Sequence, residues 1–140
     1  MPFIAESSHM RQPDVIIPDN HPNPPEDHEV EAAWILARHF STVVEYLIPV
    51  DGYKTKTNDV EIDGIIWEIK SPTGNSKTTV GNQFKEASKQ RARNIVFDSR
   101  RTKLKDSVVL SRVRFEMKRR RSVKRVLFIA KDENVVEIIP

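Results

Sequence analysis

Three side chains near the middle of the chain combine into chemistry that no other stretch offers: Asp59, Glu68 and Lys70. They flank Asp63-Gly64, and the runs on either side, "NDVEI" and "IIWEIK", place apolar residues at every second position. That pattern predicts two strands joined by a two-residue type I′ turn, since Asp and Gly tolerate the positive φ such a turn needs. Counting outward from the turn, Ile62 pairs with Ile65, Glu61 with Ile66, Val60 with Trp67 and Asp59 with Glu68. Opposed residues share a face with Cβ atoms ~5 Å apart. Lys70, two residues beyond Glu68, joins them. The other face collects Val60, Ile62, Ile65, Trp67 and Ile69 and reads as core.

Two neighbouring carboxylates repel unless a cation lies between them. A hard divalent metal on their oxygens relieves the repulsion, polarises a phosphate oxygen and acidifies a bound water. Lys70 then positions that water or stabilises charge building on phosphorus. These are the parts of a phosphodiesterase. The competing reading is a salt-bridged patch on a solvated sheet face.

The elements that must position these groups follow from periodicity. A helix starts near Pro25–Asp27, with Pro in its first turn, acids at its positive end and Val30, Ala33, Trp34 and Ala37 at helical spacing. It ends near Arg38–Ser41; "TVVEYLI" is then a strand and "PVDGYKTKT" a loop. After the hairpin, "SPTGNSKTT" is a loop, and a helix over 77–93 carries Val80, Phe84 and Ala87. "NIVFD" is a buried strand by its unbroken apolar run. A second long helix, 105–121, is built around Val109, Leu110, Val113 and Met117, and "VKRVLFIA" and "VVEII" form a closing hairpin through the polar turn Lys131–Asn134. The order is α-β-β-β-α-β-α-β-β, an α/β fold with a mixed central sheet and helices packed on it. Residues 1–27 hold six of the nine prolines and read as an extended or partly disordered arm, leaving 28–140 as the domain.

Composition narrows the class. The 140 residues suit one domain, and the absence of cysteine excludes disulfides, thiolate zinc sites and a cysteine nucleophile. No apolar run is long enough to span a membrane, and Met1–Met10 lacks the basic and apolar regions of a signal peptide. Residues 1–68 carry 13 Asp/Glu against 4 Lys/Arg, and residues 69–140 carry 7 against 19. The basic half suits an anionic partner, nucleic acid foremost, or is a well-solvated surface.

The string "Asn58-Asp59 … Glu68-Ile69-Lys70" resembles the PD-(D/E)XK nuclease superfamily motif, with Asn58 in the place of its proline. The longer string Ile62-Asp63-Gly64 … "WEIKSPTG" resembles the C-terminal tRNA-nuclease toxin domains of contact-dependent growth inhibition (CDI) systems, from about Glu29 to Asp98. The resemblance implies an α-β-β-β-α-β core and a metal-dependent endonuclease that cuts tRNA with Mg²⁺, or with Mn²⁺ or Zn²⁺. It implies Asp59 and Glu68 as metal ligands, Lys70 as the assisting cation, and a further acid from the first helix. Glu29 and Glu31 compete for that place; the "E-V-x-x-A" start of such domains favours Glu29, and capping of the helix is the alternative for both. It also implies a cognate immunity protein, a larger parent protein on the bacterial surface, and action in the cytoplasm of a target cell. A DNA endonuclease of the same superfamily and a non-catalytic basic nucleic-acid-binding module are the alternatives.

Thr73, Asn75, Ser76 and Lys77 follow Lys70 and either contact phosphates or shape the turn and cap the next helix. Gln83 is a site-facing candidate, as related nucleases carry a polar residue on this helix. Lys85, Lys89 and Arg93 form a stripe that follows a phosphate backbone or is simply the solvated face. Arg100-Arg101, Lys118–Arg121 and Lys124-Arg125 are the densest basic clusters and suit sequence-independent electrostatics. His9, His21, His28 and His39 lack zinc-like spacing, and Trp34 and Trp67 suit core positions.

Overall fold

The structure is a computed structural model that describes residues 11–49 and 59–140. Asn58, His9, the start of the arm and all but Pro49 of the loop expected over 49–57 lie outside the described residues. The chain forms two compact units, residues 1–66 and 67–140.

In the first unit, helix α1 (Asp27–Phe40) begins and ends within the expected bounds. It opens on a capping box, in which Glu29 Oε1 accepts the backbone N–H of Glu26 at 2.8 Å. It closes on Ser41, which takes the left-handed conformation (φ 50°) and donates its N–H to the Ala37 carbonyl. Ala32, Ala33, Ile35, Leu36 and Ala37 form its buried side. Strand β2 (Val43–Tyr46) buries Val44 and Tyr46, and the Tyr46 hydroxyl donates to the Glu29 carbonyl at 2.7 Å, tying strand to helix. Strand β3 (Asp59–Ile62) pairs antiparallel with β2 and buries Val60 and Ile62. Asp63 and Gly64 have φ of 49° and 84°, as a type I′ turn requires.

A strand absent from the expectations precedes them. Strand β1 (Asp14–Ile16) pairs in parallel with β2, Val15 opposite Val44. The arm is extended here, and its backbone finds partners on the edge of a sheet, the position in which a flanking proline is tolerated. His21 is buried and anchors the proline-rich stretch. Its Nδ1 accepts the Asn23 N–H at 3.0 Å, so the proton resides on Nε2, which donates to the Leu47 carbonyl at 3.0 Å.

Strand β4 (Ile65–Lys70) leads into the second unit, where it pairs in parallel with β5 (Asn94–Asp98). Strand β6 (Arg125–Ile129) is parallel to β5, and β7 (Val135–Ile138) is antiparallel to β6. Helices α2 (Thr79–Lys89) and α3 (Asp106–Arg119) pack on one face of this sheet. Val80, Phe84 and Ala87 of α2 and Val109, Val113 and Met117 of α3 meet Ile95, Phe97, Val126 and Phe128 there, with the Phe84 and Phe97 rings stacked at 6.1 Å. Leu110, expected in the stripe of α3, is only partly buried.

Helix α2 is shorter than expected at both ends. Ser76–Thr79 is a hydroxyl-rich turn in which Thr79 Oγ1 accepts the Ser76 N–H, so the helix starts two residues late. Arg91 takes φ 59°, which stops helical propagation before Arg93. Among the described residues the chain holds seven strands and three helices in a mixed α/β arrangement, and α1-β2-β3-β4-α2-β5 follows the order expected from Glu29 to Asp98.

Candidate functional site

On β4 the side chains alternate strictly. Trp67 and Ile69 point to one face; Glu68 and Lys70 point to the other, the face on which α2 lies. Their register partners on β5, Ile95 and Phe97, belong to the core beneath α2 and α3. The polar face is therefore covered: the Glu68 and Lys70 side chains are 9% and 10% exposed. The solvated patch considered as the alternative does not describe this unit.

Lys70 Nζ contacts Glu68 Oε2 at 2.9 Å and donates to Glu86 Oε1 at 2.8 Å. Gln90, one turn further along α2, donates its amide nitrogen to Glu68 Oε1 at 2.7 Å in the orientation that satisfies both groups. Burial by itself would lower the Lys70 pKa; the hydrogen bonds and charges of Glu86 and Glu68 outweigh it and raise the pKa above the ordinary 10.5. Glu86 moves the other way, held below 4.5 by the hydrogen bond from Lys70 and by its charge. Lys70 is thus a fixed cation at neutral pH. It can hold an anion or steady developing negative charge, but it cannot take a proton.

Beyond Lys70 the chain lines an open cleft of about 440 Å³ with Ser71, Thr73, Gly74, Gln83 and Arg101. Two braces shape its rim. Arg101 Nη1 donates to the Ser71 carbonyl at 3.2 Å, and Thr102 Oγ1 donates to the Gly74 carbonyl at 2.6 Å. Behind Ser71, Asp98 is fully buried and accepts a two-pronged contact from Arg100, Nε to Oδ1 at 2.9 Å and Nη2 to Oδ2 at 2.8 Å. The Ser71 hydroxyl donates to the same Oδ2 at 3.3 Å.

The expected site residues thus separate into groups. Glu68 and Lys70 touch, and Thr73 and Gln83 line the cleft with Lys70. Ser76 is engaged in turn chemistry with Thr78 and Thr79. Lys77 and Lys85 line a second groove, between α2 and α3. Lys89 is exposed on α2, and its charge bears on Glu86. In the first unit, Asp59 opens β3 half-buried, and its carbonyl accepts the Leu47 N–H at 3.0 Å. Glu29 is buried whereas Glu31 is exposed, and Glu29 has the capping role that was its alternative. Glu26, His28 and Glu29 each bring a ligand atom within 4.8 Å of the others at the start of α1.

Sequence reasoning missed Glu86 and Gln90. Both lie on the face of α2 that carries Gln83, at spacings of three and seven residues, so the signal was a polar stripe parallel to the apolar one. No helix among the described residues is long and apolar enough to cross a membrane.

The chain is similar in fold to a solved structure, the CdiA-CT/CdiI toxin and immunity complex from Burkholderia pseudomallei, with 18% identity and a TM-score of 0.69 over 91% of this chain and 99% of that one. No curated protein sequence matches it. Residues 56–135, from just before β3 into β7, match the model of the contact-dependent growth inhibition CdiA C-terminal domain, and the chain belongs to that family.

Proposed function

We propose that this chain is the nuclease toxin domain of a CDI system, a metal-dependent endonuclease of PD-(D/E)XK type that cleaves tRNA. The observation that carries the reading is the buried Glu68–Lys70 pair at the head of an open cleft, in a member of the CdiA C-terminal domain family. The element order from α1 to β5 agrees with the core of that superfamily.

The donor chemistry of Glu68 fits a hard divalent ion such as Mg²⁺. A carboxylate offers about four lone-pair sites, and Lys70 and Gln90 occupy only part of them. In this proposal Glu68 holds the ion with Asp59, the residue that counting from the Asp63-Gly64 turn sets opposite it, and with Glu29 from α1. When bound, the ion supplies an acidified water and a polarised phosphate oxygen. Lys70 stays protonated, aligns the scissile phosphate and stabilises the charge that grows on its oxygens. Glu86 keeps Lys70 charged and aimed, while Thr73, Gln83 and Arg101 offer donors to flanking phosphates.

A cognate immunity protein is the proposed partner, as the structural relative is a toxin and immunity complex. A larger cell-surface parent protein and action in a target cell's cytoplasm belong to the same proposal. The decisive experiment incubates the purified chain with total tRNA and, separately, plasmid DNA, each with Mg²⁺, with EDTA and with Glu68→Gln. Discrete tRNA fragments that vanish in both controls are expected. Cleavage of plasmid alone makes it a DNA endonuclease; cleavage that survives EDTA removes the metal from the mechanism.

A further inference from the structure

The groove between α2 and α3 adjoins the Lys70 cleft at Asn82, which lines both, and has a volume of about 490 Å³. Five cations line it: Lys77 and Lys85 from the α2 side, and Arg112, Arg119 and Arg120 from α3. Phe115 stands among them with 56% of its surface exposed, on a helix whose other large apolar residues are buried or partly buried. Single exposed apolar residues are common on protein surfaces; what sets Phe115 apart is its place among five cations that line one groove.

The groove is also organised from within. Glu116 is buried at its floor beside Gly81. Its carboxylate receives Arg120 Nε at 2.8 Å and Arg119 Nη1 at 3.5 Å. Arg119 is thereby held with its guanidinium 5.5 Å from the centre of the Phe115 ring. Arg112 is fixed by donating to the Lys77 carbonyl. Arg120 and Arg112, held closely by these partners, lose less freedom when an anion arrives than free side chains would.

We propose that this groove is a binding site for a single-stranded stretch of the nucleic-acid substrate, with one base stacked on Phe115 and the adjoining phosphates on Arg112, Arg119 and the two lysines. Aromatic faces beside backbone-tracking cations are the usual means of holding unpaired bases without reading sequence. The role deepens the nuclease reading and rests on it for the identity of the substrate. Binding itself is measured without cleavage.

The test is fluorescence anisotropy of a labelled oligouridylate and of its duplex, in EDTA, with wild type, Phe115→Ala, Phe115→Leu and Arg112→Gln/Arg119→Gln. Phe115 is exposed, so its variants should melt like wild type. Both are expected to weaken single-strand binding about tenfold and duplex binding little. The double variant should reduce the slope of log K against log salt by about 1.4. Wild-type affinity in Phe115→Ala and Phe115→Leu overturns the proposal. So does unchanged RNA affinity together with lost capture of the cognate immunity protein, which would make the groove a protein-docking surface. Normal RNA binding by Phe115→Ala beside an inactive Glu68→Gln removes the groove alone. Weakened binding beside a Glu68→Gln that still cleaves removes the catalytic reading and leaves the groove.

Discussion

The ammonium of Lys70 lies 2.8 Å from Glu86 Oε1 and so bolts the end of β4 to the middle of α2. Glu86 is largely exposed, so this contact adds only about 0.5 kcal/mol to stability. Its weight is electrostatic: a second carboxylate ensures that Lys70 stays charged although it is buried.

This pairing sets a pH window. The Lys70 pKa is raised, so its stabilisation is complete below 10.5 and is lost as pH rises through the higher folded value. The Glu86 pKa is lowered, so its stabilisation is complete above 4.5 and is lost as pH falls through the lower folded value. Glu86→Gln should therefore melt slightly below wild type at neutral pH, and the difference should fade in acid below pH 4.5. Thermal melts of the two proteins across pH check this; a gap that widens in acid contradicts it.

Removing Lys70 leaves the Glu68 carboxylate buried without its cation. Lys70→Met should cost about 3 kcal/mol of unfolding free energy and reduce cleavage by at least ~100-fold. The double variant Glu68→Leu/Lys70→Met should recover much of the stability and none of the activity. Urea unfolding beside a cleavage assay separates the two effects.

Asp98 presents the same physics behind the cleft wall at Ser71. It is fully buried and holds Arg100 through both carboxylate oxygens. Asp98→Ala should destabilise by about 3–5 kcal/mol and loosen Ser71, which donates to the same carboxylate. Asp98→Asn keeps acceptor geometry on one side and should cost less. Chemical denaturation of both variants measures the difference.

Asp106 opens α3. It accepts Ser99 Oγ at 2.7 Å and the Lys131 N–H at 3.1 Å. Burial favours its neutral form, but these hydrogen bonds and the Lys131 charge prevail and bring its pKa below 3.8. Asp106→Ala should cost about 1 kcal/mol at neutral pH. A lowered carboxylate stabilises above its unfolded pKa, so the variant and wild type should converge as pH falls below 3.8. Convergence at alkaline pH instead would contradict the assignment.

Much of this fold is legible in periodicity. Asp63-Gly64 predicts its own turn because few residues accept positive φ at successive positions, and the structure shows that backbone. Val80, Phe84 and Ala87 predict the buried side of α2 because their spacing is helical. Strand β1 was not legible: three residues among prolines carry no alternation long enough to read, and parallel pairing to a distant strand leaves no local mark. The Glu68–Lys70 contact follows from alternation, but its burial does not, because only the passage of α2 over that face decides it. The groove between α2 and α3 joins Lys77 and Lys85 to arginines some thirty residues away, and no window along the chain brings them together.

The braces at the cleft rim bear on how defects in this protein would be distributed. Thr102 holds the Gly74 carbonyl, and a Cβ on Gly74 would meet Thr79 Oγ1 at 2.6 Å. Neither residue carries a charge. Even so, Thr102→Val would release the loop and Gly74→Ala would push it outward, each displacing Thr73 from the cleft that Lys70 heads. A selection for inactive survivors would therefore recover these silent positions beside Glu68 and Lys70, and a map of such survivors would trace the loop's scaffolding as sharply as its chemistry.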